Sequence, residues 1–195
     1  VSTVSAQLNW STLSTKLSWS HYTELLSIND INKINYYIMI TEEFNLSVRE
    51  LRNKIKSNEY ERLPIDTKKK LISNEVNEVQ DFIKNPIIIH NPNNINVVKV
   101  KTLHKLILED MPNFLKELGV GFAFIDSEYK IKDDINNTYN YIDLLLYNII
   151  YNSYVVVELK VTELKKEHIG QIGIYMNYID RNLKTISQNN TIGII

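Results

Sequence analysis

The pattern of hydrophobic and polar positions changes texture near residue 90. Before that point apolar residues recur at three- and four-residue spacing: Tyr22, Leu25, Leu26 and Ile28, then Ile31, Ile34, Tyr37, Ile38 and Ile40. That is the stripe of amphipathic helices. Ser47-Val48-Arg49-Glu50 has the form of a capping box, in which the serine and the acid three positions on satisfy each other's backbone amides. It predicts a helix through Leu51 and Ile55, broken by Asn58 and Pro64. Asp66 reads as the N-cap of a further helix through Leu71, Val76, Val79 and Phe82, ended by Pro86. Residues 87–89 form a short apolar strand or tether, and residues 91–94, with Pro92, a loop and hinge.

Beyond the hinge, Leu103, Leu106, Ile107, Met111, Phe114, Leu115 and Leu118 give one helical stripe over residues 102–118, stopped by Gly119-x-Gly121. Three strand-like runs follow, residues 121–125, 139–147 and 153–160, the last two joined into a hairpin by a turn at 148–152. A helix over residues 164–182 precedes a terminal strand-like run, 191–195. Within that helix Ile169, Ile172, Met176 and Ile179 should pack onto the sheet, with His168, Gln171, Tyr175 and Tyr178 as a second stripe. The order predicts a mixed α/β fold with a helical N-terminal domain, residues 1–90, and an α/β domain, residues 98–195, built on a mixed central sheet. The chain starts without Met and stops inside a strand-like run, the pattern of a fragment.

Composition narrows the chemistry. Among 195 residues there is no cysteine, which removes disulfides, thiolate zinc sites and a cysteine nucleophile, so any metal must be held by oxygen or imidazole. Twenty-two basic residues against 23 acidic ones leave a net charge of −1, so no global field draws in nucleic acid or anionic lipid, and any such contact must be local. No apolar run reaches the ~18–20 residues of a membrane span, and the N-terminus lacks the basic-then-apolar order of a signal peptide. The expectation is a cytoplasmic protein without membrane partners.

The candidate chemistry lies on two strands. Tyr141-Ile142-Asp143-Leu144-Leu145-Leu146 places one carboxylate inside an apolar run, and Val155-Val156-Val157-Glu158-Leu159-Lys160 ends another with an acid and an amine. Alternation puts Glu158 and Lys160 on one face, and a closed hairpin brings Asp143 beside them. Two converging carboxylates make a hard oxygen site of the kind Mg²⁺ accepts, with the Leu159 carbonyl as a further ligand. Lys160, unable to bind a cation, can hold or help deprotonate an attacking water. On pattern alone the same residues also describe a charge pair at a strand end.

Gly119-x-Gly121-Phe122-Ala123-Phe124, Tyr141-Ile142-Asp143-Leu144-Leu145, Val157-Glu158-Leu159-Lys160 and Gly170-Gln171-x-x-x-Tyr175 resemble the PD-(D/E)XK nuclease domain of the YhcG-like proteins. Leu17-Ser18-Trp19-Ser20-His21, the stretch from Tyr36 to Leu51 and Tyr60-Glu61-Arg62 resemble that family's helical, helix-turn-helix-like N-terminal domain. The resemblance implies a restriction-endonuclease-like fold and a bacterial Mg²⁺-dependent nuclease acting on DNA, with Mn²⁺ as a substitute ion. It also implies a neighbourhood of restriction-modification or mobile-element genes, hence a restriction-modification-type partner or a second copy of the chain. Asp143 and Glu158 then match the metal-binding acids, Lys160 the motif lysine and Gln171 the polar residue on the following helix. A non-catalytic nucleic-acid-binding or assembly protein on the same fold is the alternative.

Members of that superfamily often add an acid from the helix before the first strand. Of Glu109, Asp110 and Glu117, periodicity puts Asp110 and Glu117 on the margin of the apolar face and Glu109 away from it, with Asp110 favoured, although Pro112 could bend the helix there. His104, within that face, reads as a satisfied core histidine, with a role near the metal as the alternative. In the N-terminal domain Arg49, Arg52, Lys54 and Lys56 on one helix could contact phosphates, or form a solvated face. Trp10 and Trp19 read as core or interface anchors.

Overall fold

The computed structural model describes residues 16–73, 83–84, 87–89, 91–97, 99–133 and 137–195. The chain divides into two compact units, residues 1–86 and 87–195. The first is helical among its described residues: α1 (Trp19–Leu25), α2 (Ile31–Phe44), α3 (Val48–Lys56) and α4 (Ile65–Ser73). Asp30 caps α2 by accepting from the amides of Asn32 and Lys33, and Asn45, in the left-handed conformation, ends it. Two residues later the Ser47–Glu50 capping box opens α3, as its sequence predicts. Leu25, Ile34, Tyr37, Ile40 and Leu51 form the centre of this unit's core.

Two expectations in this unit change. The helix expected from Asp66 starts one residue earlier, at Ile65, so Asp66 stands in its first turn and does not cap it. The remainder of that expected helix, residues 74–82, lies outside the described residues, as does Trp10. Trp19 is 73% exposed and is no core anchor.

The second unit runs α5 (Val100–Glu109), α6 (Met111–Leu118), β1 (Phe122–Asp133), β2 (Thr138–Asn148), β3 (Ser153–Val157), α7 (Lys166–Asn182) and β4 (Ile192–Ile194). The strand order is β1-β2-β3-β4; the first three are antiparallel, and α7 carries the chain across to β4, which lies parallel to β3. The sheet is therefore mixed. One face packs Leu144, Leu146, Val155, Val157 and Leu159 against Ile107, Phe114 and Leu118 of α5 and α6. The other packs Leu145 and Val156 against Ile172, Tyr175 and Ile179 of α7. Burial on both faces explains why these strands read as unbroken apolar runs.

Three local features depart from the pattern. The single helix expected over 102–118 is two, because Asp110 leaves helical geometry (φ −131°, ψ 43°) and Pro112 stands in the first turn of the next helix, where its missing N–H costs nothing. Ile169 is 64% exposed and does not pack on the sheet; the buried stripe of α7 is Ile172, Tyr175 and Ile179. At 100° per residue Ile169 lies roughly 90° from the centre of that stripe. β1 extends to Asp133, well past residue 125, after a register shift between Phe124 and Asp126. With the N-terminal part of β2 it forms a two-stranded ribbon whose Ile131 and Ile142 are buried.

Candidate active site

The β2–β3 ladder pairs Leu144 with Val157, and one further step would set Asp143 opposite Glu158. The ladder stops there. The Asp143 carboxylate instead accepts from the Leu159 amide at 2.7 Å, so a side chain replaces the next backbone acceptor. Glu158 donates its amide to Ile194 O of β4 at 2.9 Å, which keeps the departing segment against the sheet. Leu159 anchors the segment in the core beneath α5 and α6, and Glu158 and Lys160 flank it. β3 thus ends at Val157, short of the expected residue 160, and its last three residues become a clamped turn-out.

Glu158 is 5% exposed. The Lys160 ammonium lies 2.6 Å from Glu158 Oε1 and donates to Gln171 Oε1 at 3.4 Å; Gln171 Nε2 donates in turn to the Tyr175 hydroxyl at 2.7 Å. A hydrogen-bonded chain therefore runs from the sheet end onto α7. From α5, His104 Nε2 meets the Asp143 carbonyl at 3.1 Å, so this half-buried histidine is satisfied and also buttresses the backbone of the acid. Burial pushes the Glu158 carboxyl up from its ordinary value; the Lys160 hydrogen bond opposes this, the Asp143 charge adds to it, and the charges of Lys160 and His168 oppose it again. Burial likewise raises the Tyr175 hydroxyl, against the Gln171 hydrogen bond.

One atom stands out. Glu158 Oε2 is buried and has no hydrogen-bond partner. A buried carboxylate oxygen without a partner is costly, and a cation shared with Asp143 would satisfy it. Among the described residues no group of three or more His, Asp and Glu side chains assembles that could hold a metal. Protein ligation would thus rest on two carboxylates, with water and a substrate phosphate completing it, a donor set that suits Mg²⁺.

The remaining candidates fall elsewhere. Asp110 sits at the α5–α6 joint and accepts from Asn113 Nδ2 at 3.0 Å. Glu117 accepts from the Ile88 amide, and Glu109 pairs with Lys105. In the helical unit Arg52 makes a two-point contact with Glu24, at 2.7 and 3.1 Å. Lys54 turns inward: its ammonium is 2.7 and 2.9 Å from the two oxygens of buried Glu59, which also receives the Tyr36 hydroxyl and the buried Lys84. Arg49, Arg52 and Lys56 share the exposed face of α3. Neither the inward role of Lys54 nor the His104–Asp143 contact is visible in the chain order, because both join residues whose neighbourhood only folding creates.

The domain is thus a mixed sheet between helical layers, with two acids and a lysine at an opened strand end. The sequence profile of the YhcG PDDEXK nuclease domain matches residues 80–195, and the chain belongs to that family. Residues 2–62 match the DUF1016 N-terminal domain. The protein named "Putative nuclease YhcG" from Escherichia coli (strain K12) is 26% identical over 195 residues, covering 95% of this chain. The chain spans 52%, about half, of that relative's length. No solved structure matches. No described helix is long and apolar enough to cross a membrane.

Proposed function

We propose that the chain is a metal-dependent nuclease hydrolysing DNA phosphodiester bonds, with Asp143, Glu158 and Lys160 as its reacting core. The observation that carries this reading is the unpartnered, buried Glu158 Oε2 beside Asp143, with Lys160 fixed on the other oxygen. Asp143 and Glu158 would hold Mg²⁺ or Mn²⁺, aided by the Leu159 carbonyl. The ion supplies Lewis-acid activation and offsets charge developing at the phosphodiester.

The chain's own residues do the rest. Lys160, tethered by Glu158 and Gln171, orients the attacking water in line with phosphorus and stabilises the negative charge that builds there. A new P–O bond forms from that water, the ester P–O bond breaks, and the departing oxygen leaves as a protonated hydroxyl. Gln171, itself held by Tyr175, is a positioning residue for Lys160. In the helical unit the exposed face of Arg49, Arg52 and Lys56 supplies phosphate contacts or docks a partner, while Lys54 serves the interior. A restriction-modification-type partner or a second copy of the chain would supplement this modest basic surface.

Mg²⁺-dependent cleavage of plasmid DNA is the test. Asp143→Ala should abolish it, and Lys160→Ala should lower it by about 10²-fold or more, with circular dichroism unchanged. Cleavage at the parent rate by either variant overturns the assignment. Calorimetric titration with Mg²⁺ should give heat that Asp143→Ala loses; its absence from the parent chain favours a non-catalytic binding module.

A further inference from the structure

The ribbon formed by β1 and the start of β2 has two unlike faces. Its inner face is apolar: Ile131 and Ile142 join the core with Ile172, Tyr175 and Ile179 of α7, and Tyr129 packs at the edge. Register sets Lys130 opposite Tyr141 and Lys132 opposite Tyr139. Directly opposed residues of an antiparallel pair share a face, so these four form one surface, away from the buried isoleucines. All four are exposed, Tyr139 by 55% and Tyr141 by 53%. The Lys130 ammonium lies 3.8 Å from the centroid of the Tyr139 ring, a diagonal cation–π contact that orients the ring.

The two exposed rings and the two ammonium groups beside them make one contiguous patch of the kind that marks a binding surface. Here they lead to the chemistry. Tyr141 is two residues and Tyr139 four residues before Asp143 on β2, roughly 7 and 14 Å along the strand at about 3.4 Å per residue. Aromatic faces in a row, flanked by ammonium groups, suit unstacked bases and their phosphates, because every base has a π-face and every phosphate a charge. A duplex keeps its bases stacked on one another and does not offer their faces to the exposed rings.

We infer that this Lys130/Lys132/Tyr139/Tyr141 face of the β1–β2 ribbon is a track for single-stranded nucleic acid that delivers the strand to the Asp143 site. The inference rests on the nuclease reading above and adds the form of the substrate: a strand already single, or frayed, at the point of cleavage. Two bases stack on Tyr139 and Tyr141, and Lys130 and Lys132 neutralise the adjoining phosphates.

The experiment is fluorescence anisotropy of a labelled oligothymidylate with the full chain in EDTA, where nothing is cleaved. Affinity should fall about five- to a hundredfold for Tyr139→Ala and again for Tyr141→Ala, while the Tyr139→Phe/Tyr141→Phe pair stays within about twofold of the parent. Lys130→Gln/Lys132→Gln should reduce the slope of log affinity against log salt by about 1.4, two phosphates' worth for a single strand. No binding by the parent, unchanged affinity in the alanine pair, or equal affinity for a duplex of the same sequence overturns the track. Because binding is read without metal, loss of plasmid cleavage on its own bears on the nuclease reading and leaves this result standing.

Discussion

At Glu158 two demands conflict. The carboxylate is buried at a strand end, facing Asp143, and only one of its oxygens is satisfied, by Lys160. Its carboxyl is raised above the ordinary 4.5, so the folded chain binds a proton there more readily than the unfolded chain does. The burden on stability is absent at low pH, where both states are protonated, and grows as pH rises through the folded-state value. Glu158→Gln removes it while keeping an acceptor for Lys160. In EDTA, the melting temperature of that variant should gain on the parent as pH rises past 4.5; a difference that stays constant across this range would contradict the description. Asp143 and Glu158 stand out as candidates in residue order because one lies inside an apolar run and the other at the end of one, and a charge in such a place needs a reason. Their mutual geometry was not legible. It depends on the ladder opening one step after Leu144–Val157 and on the Asp143 carboxylate capturing the Leu159 amide.

Among the elements, β4 shows most directly how the site end of the sheet is held. It pairs in parallel with β3 through Val155–Ile192, Val156–Gly193 and Val157–Ile194, and α7 lies across it. A Cβ on Gly193 would come within 2.7 Å of Met176 Sδ and 2.9 Å of Ile172 Cδ1, so the glycine lets helix and strand approach. Met176 can give way, but Ile172 is fixed in the core. Gly193→Ala should cost about 1–3 kcal/mol, read as a lower urea midpoint with unchanged slope. Because Glu158 hangs from Ile194 O, the same variant should also weaken Mg²⁺ binding by calorimetry. Sequence periodicity located α7 but assigned its buried face too far toward Ile169, since an apolar residue beside the stripe looks the same as one within it. The apolar run 121–125 marks only the first part of β1 for the complementary reason. Asp126, Glu128, Lys130 and Lys132 are its exposed, alternating positions, and polar alternation of that kind also describes a loop.

Across the whole molecule, each of the two units has a core drawn from its own residues. The helical unit's cluster runs from Leu17 to Leu71, and both clusters of the second unit use only residues from 87 onward. Independent cores predict independent folding. Residues 87–195 prepared alone should unfold cooperatively on heating and keep the near-ultraviolet dichroism of packed tyrosines; a broad, probe-dependent transition would show that the helical unit is needed. The sequence by itself determined the class of fold, the two-part texture and the Ser47–Glu50 cap, and it singled out Asp143, Glu158 and Lys160 as candidates, because burial pattern, capping and a charge set in an apolar run are local properties written in residue order. Only tertiary structure decided that α5 and α6 are separate helices, that Lys54 serves Glu59 inside the helical unit, that His104 and Tyr175 back the site, and that one oxygen of Glu158 is left without a partner. Each of these is set by register, helix rotation, local backbone geometry or the competition for hydrogen-bond acceptors within a closed core, none of which residue order states by itself.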